Sequence, residues 1–512
     1  MGTSLTSEEI AELASPPEGA VLAPEALAEP PPPTGSGPLS PDETNPFAGG
    51  RARLTAGLML TIVAVAFQAL AVATILPAIV NDLGGINLYG WAFSAYLLTQ
   101  LVGIVVGGLI SDDRGPAFPF AIGVVFFSAG LLLGGFAPSM EVLILGRALQ
   151  GFGGGCIYSS AYVAVGRGFP AAAKPRMLAL MSTGWVVPGL IGPAISGLMA
   201  EALGWRAVFL VLTPMALLAA LLALPSLRTV PRGTRHPQAK QRVLLSIALS
   251  AGAGLVLGSA SAPTLELGNV RVPGIVTAGV MIVVGAVLAV PSLRTLLPVG
   301  TLRAAPGLPA AIATMGLINL AFFGVDAFVP LMLVEVRGVS IGFAGLALTA
   351  GTIAWSAGSW IQARVSMHVS RRTMEWIGLT LISAAILIIA SVLLPRTPIF
   401  LGPLGWGVAG LGMGFAYITL NLTMLELAEP GQEGNASSSM QLASVLGSGV
   451  GTGIGGALVA VVHTQGSPVQ QALMFHFGLM FLAVLVAFLT ARGLPQFTRP
   501  PANPRLAGAE AA

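Results

Sequence analysis

The chain has 512 residues, of which 54% are hydrophobic and only 9% are charged. Roughly a quarter of the residues are charged in an ordinary soluble domain, so this composition excludes such a domain and predicts an integral membrane protein. The net charge is +3, and the basic residues are scattered through loops without interleaved aromatic residues, which argues against nucleic acid as a partner.

Residues 1–50 are the first segment of the chain. They contain eight acidic residues, no Lys or Arg, and the proline run Pro30–Pro33. Such a segment has too few large apolar groups to offset the entropy lost on ordering, and it lacks the basic start and apolar core of a signal peptide. We therefore predict a disordered, acidic, proline-rich tail, which is either a dispensable extension or a partner-binding segment.

From Leu54 onward the chain is a series of apolar runs, each long enough to cross a hydrocarbon core that needs about 20 helical residues. We predict fourteen membrane-spanning helices, of which the seventh and eighth are the least distinct because they are rich in Gly, Ala and Ser. Their expected ranges are 54–80, 89–111, 118–137, 141–165, 177–200, 205–224, 243–262, 272–292, 307–333, 340–361, 374–394, 398–426, 437–463 and 471–491.

The basic residues predict the orientation of these helices. With the N-terminus inside, only Arg206, Arg271, Arg337 and Arg396 of the 24 Lys and Arg fall outside, and Arg147 lies within the membrane. The positive-inside rule therefore puts both termini in the cytoplasm of a multi-pass cell-membrane protein. We expect it to be monomeric, with the lipid bilayer as its surroundings.

An internal repeat predicts the domain organisation. At a shift of 259 residues, Gly146, Gly151, Gly153, Gly155 and Tyr158 coincide with Gly405, Gly410, Gly412, Gly414 and Tyr417, and Gly192 and Gly197 with Gly451 and Gly456. A shared register over two spans indicates two related bundles. The expected divisions are a six-helix bundle at 51–224, a basic cytoplasmic linker at 225–242, a two-helix insertion with its linker at 243–306, a second six-helix bundle at 307–491, and a C-terminal tail at 492–512.

Three motifs carry a family resemblance. The loop after the second span reads GLISDDRG (Gly108–Gly115), the fourth span contains LILGRALQGFGGG (Leu143–Gly155), and the fifth contains GWVVPGLIGPAISG (Gly184–Gly197). With these motifs the chain resembles the major facilitator superfamily, and within it the fourteen-helix drug/proton antiporters. The resemblance covers most of residues 54–491 and implies an all-α membrane fold of two six-helix bundles plus two extra helices.

The chain departs from that family at several positions. Pro116 and Ala117 stand where the family loop usually has basic residues, and Ser196 replaces a customary glycine. The first span of this branch usually carries an acidic residue about ten positions before its proline, yet Phe67 occupies that position with Gln68 beside it. The chain therefore has no acidic residue at the position of the usual first-span proton site.

The motif residues of the second loop are candidates for a conformational latch. Gly115 allows a tight turn before the third span, and Asp112 and Arg114 beside it can hold the two bundles together in one state and release them in another. Gly108 is the first residue of this motif. The simpler interpretation is a solvated loop with a turn.

The fifth span has an antiporter-type motif of prolines and glycines. Prolines remove backbone donors and glycines thin the helix surface, which predicts a bent helix packed tightly at an interface between bundles. Packing alone can be the whole role of this motif. Its residues are Pro188, Gly189, Gly192, Pro193 and Gly197.

Asp326 and Arg147 are the candidates for proton coupling. Asp326 is the only acidic residue placed well inside a predicted span, four residues before Pro330 and near an expected break in the ninth helix. Arg147 is its natural counterpart, either as a proton-linked partner or as an organiser of the fourth span. The alternative for Asp326 is that it caps the break or faces external water.

Other titratable residues are assigned no functional role. Glu201, Glu335, Glu375 and Glu426 fall at predicted helix ends and are expected at the membrane interface. His463 and His476 lack neighbouring ligands, so we expect no metal and no other cofactor.

A central cavity is expected to be mostly apolar with few polar groups, which suits amphipathic or hydrophobic compounds better than sugars. The candidate lining residues are Gln68, Gln100, Tyr158, Tyr162, Asn319, Asn421 and Gln441. We predict a proton-driven exporter of such compounds, working by alternating access of the two bundles. An exporter or flippase of lipid-like molecules is the alternative. A membrane enzyme is a remote one, because no P-loop, nucleophile elbow or metal-ligand spacing is found in the spans.

Overall fold

The structure is a computed structural model that describes residues 44–170, 172–233, 238–262, 265–267, 270–366, 368–429 and 433–496. Within these residues the chain forms fourteen long helices, numbered here in chain order. They are α1 Ala52–Leu83, α2 Trp91–Arg114, α3 Ala117–Gly135, α4 Met140–Gly168, α5 Lys174–Leu203, α6 Trp205–Leu227, α7 Ala239–Gly258, α8 Gly274–Leu296, α9 Leu308–Asp326, α10 Ile341–Val365, α11 Arg371–Val392, α12 Leu401–Leu427, α13 Glu433–Thr464 and α14 Val469–Ala491.

The predicted all-α membrane fold is confirmed. Among the described residues, 13 helices are long and apolar enough to cross a membrane. The one remaining long helix, α4, is 29 residues long but less apolar than the other 13, because it contains Arg147, Gln150 and several glycines. The polar content of α4 is a first indication that this helix does more than face lipid.

A few elements lie outside the predicted pattern. A two-stranded antiparallel hairpin, β1 Leu265–Leu267 and β2 Val270–Val272, connects α7 to α8. Most of the expected N-terminal tail (residues 1–43), part of the basic linker (residues 234–237) and the end of the C-terminal tail (residues 497–512) lie outside the described residues.

The helices pack in two similar sets. In the first set α1 contacts α5 and α6, while α4 packs between α2 and α3; in the second, α9 contacts α13 and α14, while α12 packs between α10 and α11. These sets are called here the first bundle (α1–α6) and the second bundle (α9–α14). The extra helices α7 and α8 pack on each other and reach the bundles mainly through contacts of α7 with α2 and α13.

The repeated glycines explain how α4 and α12 fit into their bundles. A Cβ atom on Gly151 would overlap the Tyr96 carbonyl oxygen of α2, and one on Gly410 would overlap the Gly351 carbonyl oxygen of α10. On the opposite side, Gly153 packs against α3 and Gly412 against α11. The same glycine positions therefore allow the same backbone approach in both bundles.

The two bundles meet at one end of the molecule, called here the Tyr89 end; the opposite end is the Asp112 end. At the Tyr89 end Gly90 packs against Gly456 of α13, and Gly197 of α5 lies against Gly342 of α10. The Gly342 amide also donates to Glu201 Oε1 over 2.8 Å. These contacts hold the Tyr89 end closed in this conformation.

Candidate functional site

Asp326 lies where the ninth helix breaks. Helix α9 ends at Asp326, and the chain continues through a turn into a short helix, Val329–Leu331, and a π-helical turn, Met332–Val336. Pro330 has no backbone N–H for the Asp326 carbonyl, so a regular helix cannot continue through this point. The break leaves the Asp326 side chain partly accessible inside the second bundle.

The partner of Asp326 is a tryptophan of the fourth helix in the same bundle. Trp406 Nε1 donates to Asp326 Oδ1 over 2.9 Å, and the indole is only 1% exposed. Trp406 is the residue that the repeat aligns with Arg147. The second bundle thus has a neutral donor where the first has a permanent charge.

Aromatic rings extend from Trp406 along the interior of the second bundle. Phe322 stacks on Trp406 at 4.8 Å between ring centroids and meets Trp355 edge-on at 5.4 Å. Trp355 in turn lies 5.6 Å from Tyr417, and Phe323 completes the group at 6.4 Å from Trp355. Trp355, Phe323 and Tyr417 are partly accessible, so the rings offer an apolar surface.

The first bundle adds two tyrosines to this surface. Tyr158 and Tyr162 of α4 share a hydroxyl–hydroxyl hydrogen bond of 3.0 Å, with ring centroids 4.8 Å apart. Both tyrosines lie near the Tyr417 side chain of α12, and the Tyr158 hydroxyl hydrogen-bonds with the Gln441 side chain of α13. We call this set the aromatic array; its residues are Phe322, Phe323, Trp355, Trp406, Tyr417, Tyr158 and Tyr162.

Arg147 is buried in a separate network of the first bundle. Its side chain is 2% exposed; Nε donates to the Ala92 carbonyl at 2.8 Å and Nη1 to Gln150 Oε1 at 2.7 Å. The guanidinium also lies 4.3 Å from the centroid of the Tyr96 ring. These contacts attach α4 to the first turns of α2.

Gln150 joins this network to the first helix. Its Oε1 also accepts from Gln68 Nε2 at 2.8 Å, and its Nε2 donates to the Gly130 carbonyl of α3 at 2.8 Å. Through Gln150, Arg147 is therefore linked to α1 and α3 as well as to α2. Arg147 is expected to be either a proton-linked partner of Asp326 or an organiser of the fourth span, and among the described residues no contact joins it to Asp326.

A tyrosine connects the two regions. Tyr89 is 0% exposed, and its hydroxyl donates to the Ala327 carbonyl at 3.0 Å. Its ring lies 5.2 Å from Phe328. Tyr89 precedes the turn of α2 that Arg147 holds, and Ala327 follows Asp326, so this hydrogen bond reaches from the first bundle to the break in α9.

The predicted cavity residues divide into two groups. Gln68 is 0% and Asn319 is 1% exposed, because Gln68 bonds to Gln150 and Asn319 Oδ1 accepts from Ser444 at 2.9 Å. In this conformation those two are packing residues and not lining residues. Partial or full exposure is found for the others, namely Gln100, Tyr158, Tyr162, Asn421 and Gln441.

Among the described residues, the motif at the Asp112 end makes contacts with the first bundle and its linker. Asp112 forms an ion pair with Arg167 of α4, and its backbone carbonyl accepts from Gly233 N at 3.1 Å. Gly115 has φ +86°, a conformation that favours glycine. Arg114 lies 5.0 Å above the Phe118 ring, and Gly108 is next to Ser159 of α4.

The proline–glycine motif of α5 faces the second bundle. Helix α5 continues through Pro188 and Pro193 as one helix to Leu203. A Cβ on Gly189 would overlap Thr352 of α10, and Gly345 of α10 packs against the Pro193 carbonyl. Gly192 instead faces Phe67 of α1, and Gly197 reaches Gly342. Most of this motif therefore lies at the contact between α5 and α10.

Two residues that were expected to be unremarkable are fully buried. Glu375 was assigned to the membrane interface, but its side chain is 0% exposed because α11 packs against α12 and α14 around it. His476 is also 0% exposed, and its Nε2 donates to the Gly324 carbonyl at 2.9 Å. Glu375 therefore lies near a helix end, as expected, but its side chain is enclosed by protein.

Sequence reasoning missed most of the aromatic array. Trp355, Phe322 and Phe323 were not singled out, because single aromatic residues in apolar runs are usual in membrane helices. Tyr417 was present in the repeat as the partner of Tyr158, and Trp406 as the replacement for Arg147. The repeat was thus the available signal that these positions face one another.

Two six-helix bundles around an aromatic surface with one carboxyl group define a membrane transporter. A family model described as Major Facilitator Superfamily matches residues 58–452, and the chain belongs to this superfamily. Among its relatives, a probable multidrug-efflux transporter of Mycobacterium tuberculosis is 28% identical over 467 residues, covering 86% of this chain and 92% of the relative. The methylenomycin A resistance protein of Streptomyces coelicolor is 27% identical over 456 residues, with the same coverage.

Solved structures agree on the fold. A POT family transporter in complex with 5-aminolevulinic acid matches with a TM-score of 0.63 at 14% identity, covering 88% of this chain and 98% of that one. A D-xylose-proton symporter matches with a TM-score of 0.61 at 14% identity, covering 87% and 98%. At such identities the likeness concerns the fold alone.

Proposed function

We propose that the protein exports small hydrophobic or amphipathic compounds and is driven by proton entry. The observation that carries this proposal is the aromatic array beside Asp326: its accessible rings, Trp355, Phe323 and Tyr417, suit apolar molecules, and the carboxyl group supplies a proton-binding position next to the array. The efflux and resistance functions named for the relatives support the same substrate class. A relative from Streptomyces glaucescens is named as a tetracenomycin C resistance and export protein.

In this proposal both termini lie in the cytoplasm, so the Asp112 end is cytoplasmic and the Tyr89 end external. The distribution of basic residues supports this orientation. With the external end closed by contacts such as Tyr89–Ala327, the conformation accepts substrate from the inside. The Asp112–Arg167 pair stays within one bundle, as expected for a latch that is released in this state.

The coupling step follows from the environment of Asp326. Ionised Asp326 accepts the Trp406 N–H, whereas a protonated carboxyl carries no charge and tolerates closure of the site around it. The α9 break places that change beside the Ala327 carbonyl, which holds Tyr89. Protonation of Asp326 thereby biases the closed and open forms of the Tyr89 end.

A lipid-like substrate receives less support. Helix α7 packs against both α2 and α13, so it covers one of the two seams between the bundles through which a lipid would enter sideways. Lipid export remains the alternative outcome of the experiments.

The proposal is tested with purified protein in proteoliposomes, using ethidium and tetracenomycin C as probes. A proton gradient should drive accumulation of at least one probe, and a protonophore should abolish it. Asp326→Asn keeps an oxygen acceptor for Trp406 but cannot ionise, so we expect loss of gradient-driven transport with retention of downhill exchange. Asp82→Asn is the matched control, because Asp82 is a surface residue paired with Arg206 at the Tyr89 end.

Three results count against the proposal. Wild-type transport that is indifferent to the gradient contradicts proton coupling. Normal gradient-driven transport by Asp326→Asn contradicts the role of Asp326. Movement of fluorescent phospholipid without movement of either probe contradicts the substrate class and supports the lipid alternative.

A further inference from the structure

A second carboxyl group lies deep in the second bundle, apart from the aromatic array. Glu375 belongs to the second turn of α11, at the Asp112 end, whereas Asp326 lies toward the Tyr89 end. The Glu375 side chain is 0% exposed. Among the described residues, neither of its carboxyl oxygens has a hydrogen-bonding partner.

Two other buried polar side chains occur at the same depth. Gln362 of α10 is 0% exposed, and its Nε2 donates to Thr419 Oγ1 of α12 at 3.3 Å. Its Oε1 has no donor within the described part of the chain. Helices α11 and α12 run antiparallel with Gly378 against Ala416, so Glu375, three residues before Gly378, is level with Thr419. We call Gln362, Glu375 and Thr419 the polar layer.

In the described part of the first bundle the corresponding positions hold no carboxyl or amide side chain, although the buried Ser160 aligns with Thr419. Gly123 of α3 packs on Gly153 as Gly378 of α11 packs on Gly412, so Phe120 corresponds to Glu375. Phe120 is also 0% exposed. The same fold therefore fills this space with a phenyl ring, and packing does not require a carboxyl group there.

Gln362 shows the same contrast. Gly103 of α2 packs on the Phe152 carbonyl as Gly358 of α10 packs on the Leu411 carbonyl, so Gly107 corresponds to Gln362. Gly107 lies against Cys156. In the second bundle Glu375 thus stands in place of Phe120, and Gln362 in place of Gly107. Both side chains have oxygens without a hydrogen-bond donor among the described residues.

An ionised carboxylate without hydrogen bonds is not maintained in a dry interior, because the free energy of its desolvation is far larger than that of binding a proton. No described charge compensates it. The titratable and charged groups on α11 and the helices packed against it have other contacts. Arg371, one turn before Glu375, binds Glu426 through Nε and Nη2, although its buried Nη1 has no hydrogen-bonding partner among the described residues. Arg372 binds the Leu494 carbonyl, Asp326 binds Trp406, His476 Nε2 binds the Gly324 carbonyl, and Tyr417 lies beside Ser444 and Asn421.

We propose that Glu375 is a second proton-binding site, occupied in this conformation and emptied when water reaches the polar layer from the Asp112 end. On release the carboxyl O–H bond breaks, the proton passes to water, and the carboxylate stays hydrated until the layer closes. The role of this proton in transport rests on the proposed proton coupling; the binding of the proton does not.

Proton binding is tested by infrared spectroscopy of the purified full-length protein. A protonated Glu375 gives a carboxylic-acid C=O band at neutral pH that is missing from Glu375→Gln and from Glu375→Phe. Glu426→Gln is the matched control and should keep the band, since Glu426 is paired with Arg371 at the same end. Spectra of wild type and both Glu375 variants that coincide in this region overturn the proposal.

Its role in transport is tested in proteoliposomes with the same variants. Glu375→Gln keeps the volume of the side chain, so it should fold with wild-type thermal stability; Glu375→Phe copies Phe120 of the first bundle, where Gly107 stands in the place of Gln362. We expect both Glu375 variants to lose gradient-driven probe transport and to retain downhill exchange, while Glu426→Gln transports normally. Gradient-driven transport at the wild-type rate by Glu375→Phe overturns this role. If the wild type itself ignores the gradient, proton-coupled export fails, yet the infrared result still decides whether Glu375 holds a proton.

Discussion

Helices α4 and α12 occupy equivalent places in the two bundles but carry different chemistry. Both use glycines at matching positions to approach their neighbours, as Gly151 and Gly410 do. At the aligned position, α4 has Arg147 bonded to Gln150 and α2, whereas α12 has Trp406 bonded to Asp326. The shared glycines allow the close helix packing of both bundles. The residues that differ give the first bundle a buried charged network and the second bundle a hydrogen bond to a titratable group.

The largest effect is expected from the shared glycines. Gly151→Ala and Gly410→Ala each force a methyl group into a backbone carbonyl, and overpacking of this kind costs about 1–3 kcal/mol or more. We therefore expect both variants to lose most of their folded yield in detergent, to a similar degree. Size-exclusion profiles and thermal unfolding measure this.

Gly166→Ala is the control for these variants, because a Cβ on Gly166 of α4 meets nothing within 4 Å. It should leave folding unchanged. A Gly410→Ala protein as stable as the wild type would mean that the two helices do not share the same packing.

A different outcome is expected where the helices differ. Arg147→Met removes two hydrogen bonds from a charged donor but also removes a buried charge whose desolvation is costly, so we expect a smaller loss of folded protein than in the glycine variants. It frees the first turns of α2. Transport should fall strongly at every pH. Trp406→Phe keeps a ring on Phe322 but removes the donor to Asp326, so we expect a moderate loss and a displaced pH profile. Proteoliposome transport across a pH series separates the two.

If Arg147→Met and Trp406→Phe changed transport in the same way at every pH, the proposed difference between α4 and α12 would be contradicted. If Trp406→Phe lowers transport without moving the pH profile, Trp406 acts on packing and not on the protonation of Asp326. A displaced profile in Arg147→Met would place Arg147 in the proton-coupled step after all.

The smallest effect concerns the contact between the halves. Tyr89→Phe removes one hydrogen bond, worth about 0.5–1.5 kcal/mol, and should shift the equilibrium toward opening of the Tyr89 end about two- to tenfold. Spin labels at Leu203→Cys and Phe400→Cys, both exposed at that end, report the change as a longer distance in a Cys156→Ala background.

Tyr96→Phe provides the control for the tyrosine. The Tyr96 hydroxyl is buried without a hydrogen-bonding partner among the described residues, so its removal should leave the distance distribution unchanged. The same distribution in Tyr89→Phe and the wild type would show that the Ala327 contact does not hold the end closed.

Much of the fold was predictable from the sequence, because apolar length, the position of basic residues and the glycine repeat are local or periodic signals. The break at Asp326 was also readable from Pro330. The pairing of Asp326 with Trp406 was not, since the two residues are 80 positions apart and nothing in either segment indicates which helix faces which.

Glu375 shows the same limit. Its position near a helix end predicted the interface, but burial depends on how α11 packs against α12 and α14, which sequence periodicity in a uniformly apolar helix does not specify. Gln68 and Asn319 looked like cavity residues for a related reason: a polar side chain in an apolar run signals a partner, and that partner was protein in both cases.

The extra helix α7 has a mechanical consequence. Ser250 of α7 donates to the Leu98 carbonyl of α2, and Leu257 of α7 packs against Gly453 of α13. When the bundles tilt relative to each other, α7 can move with only one of its two partners, α2 or α13. Its contact with the other partner must then shift. At the other seam, beside α5 and α10, the moving surfaces face lipid chains instead of an extra helix. The rocking motion of this transporter is therefore asymmetric with respect to the surrounding bilayer.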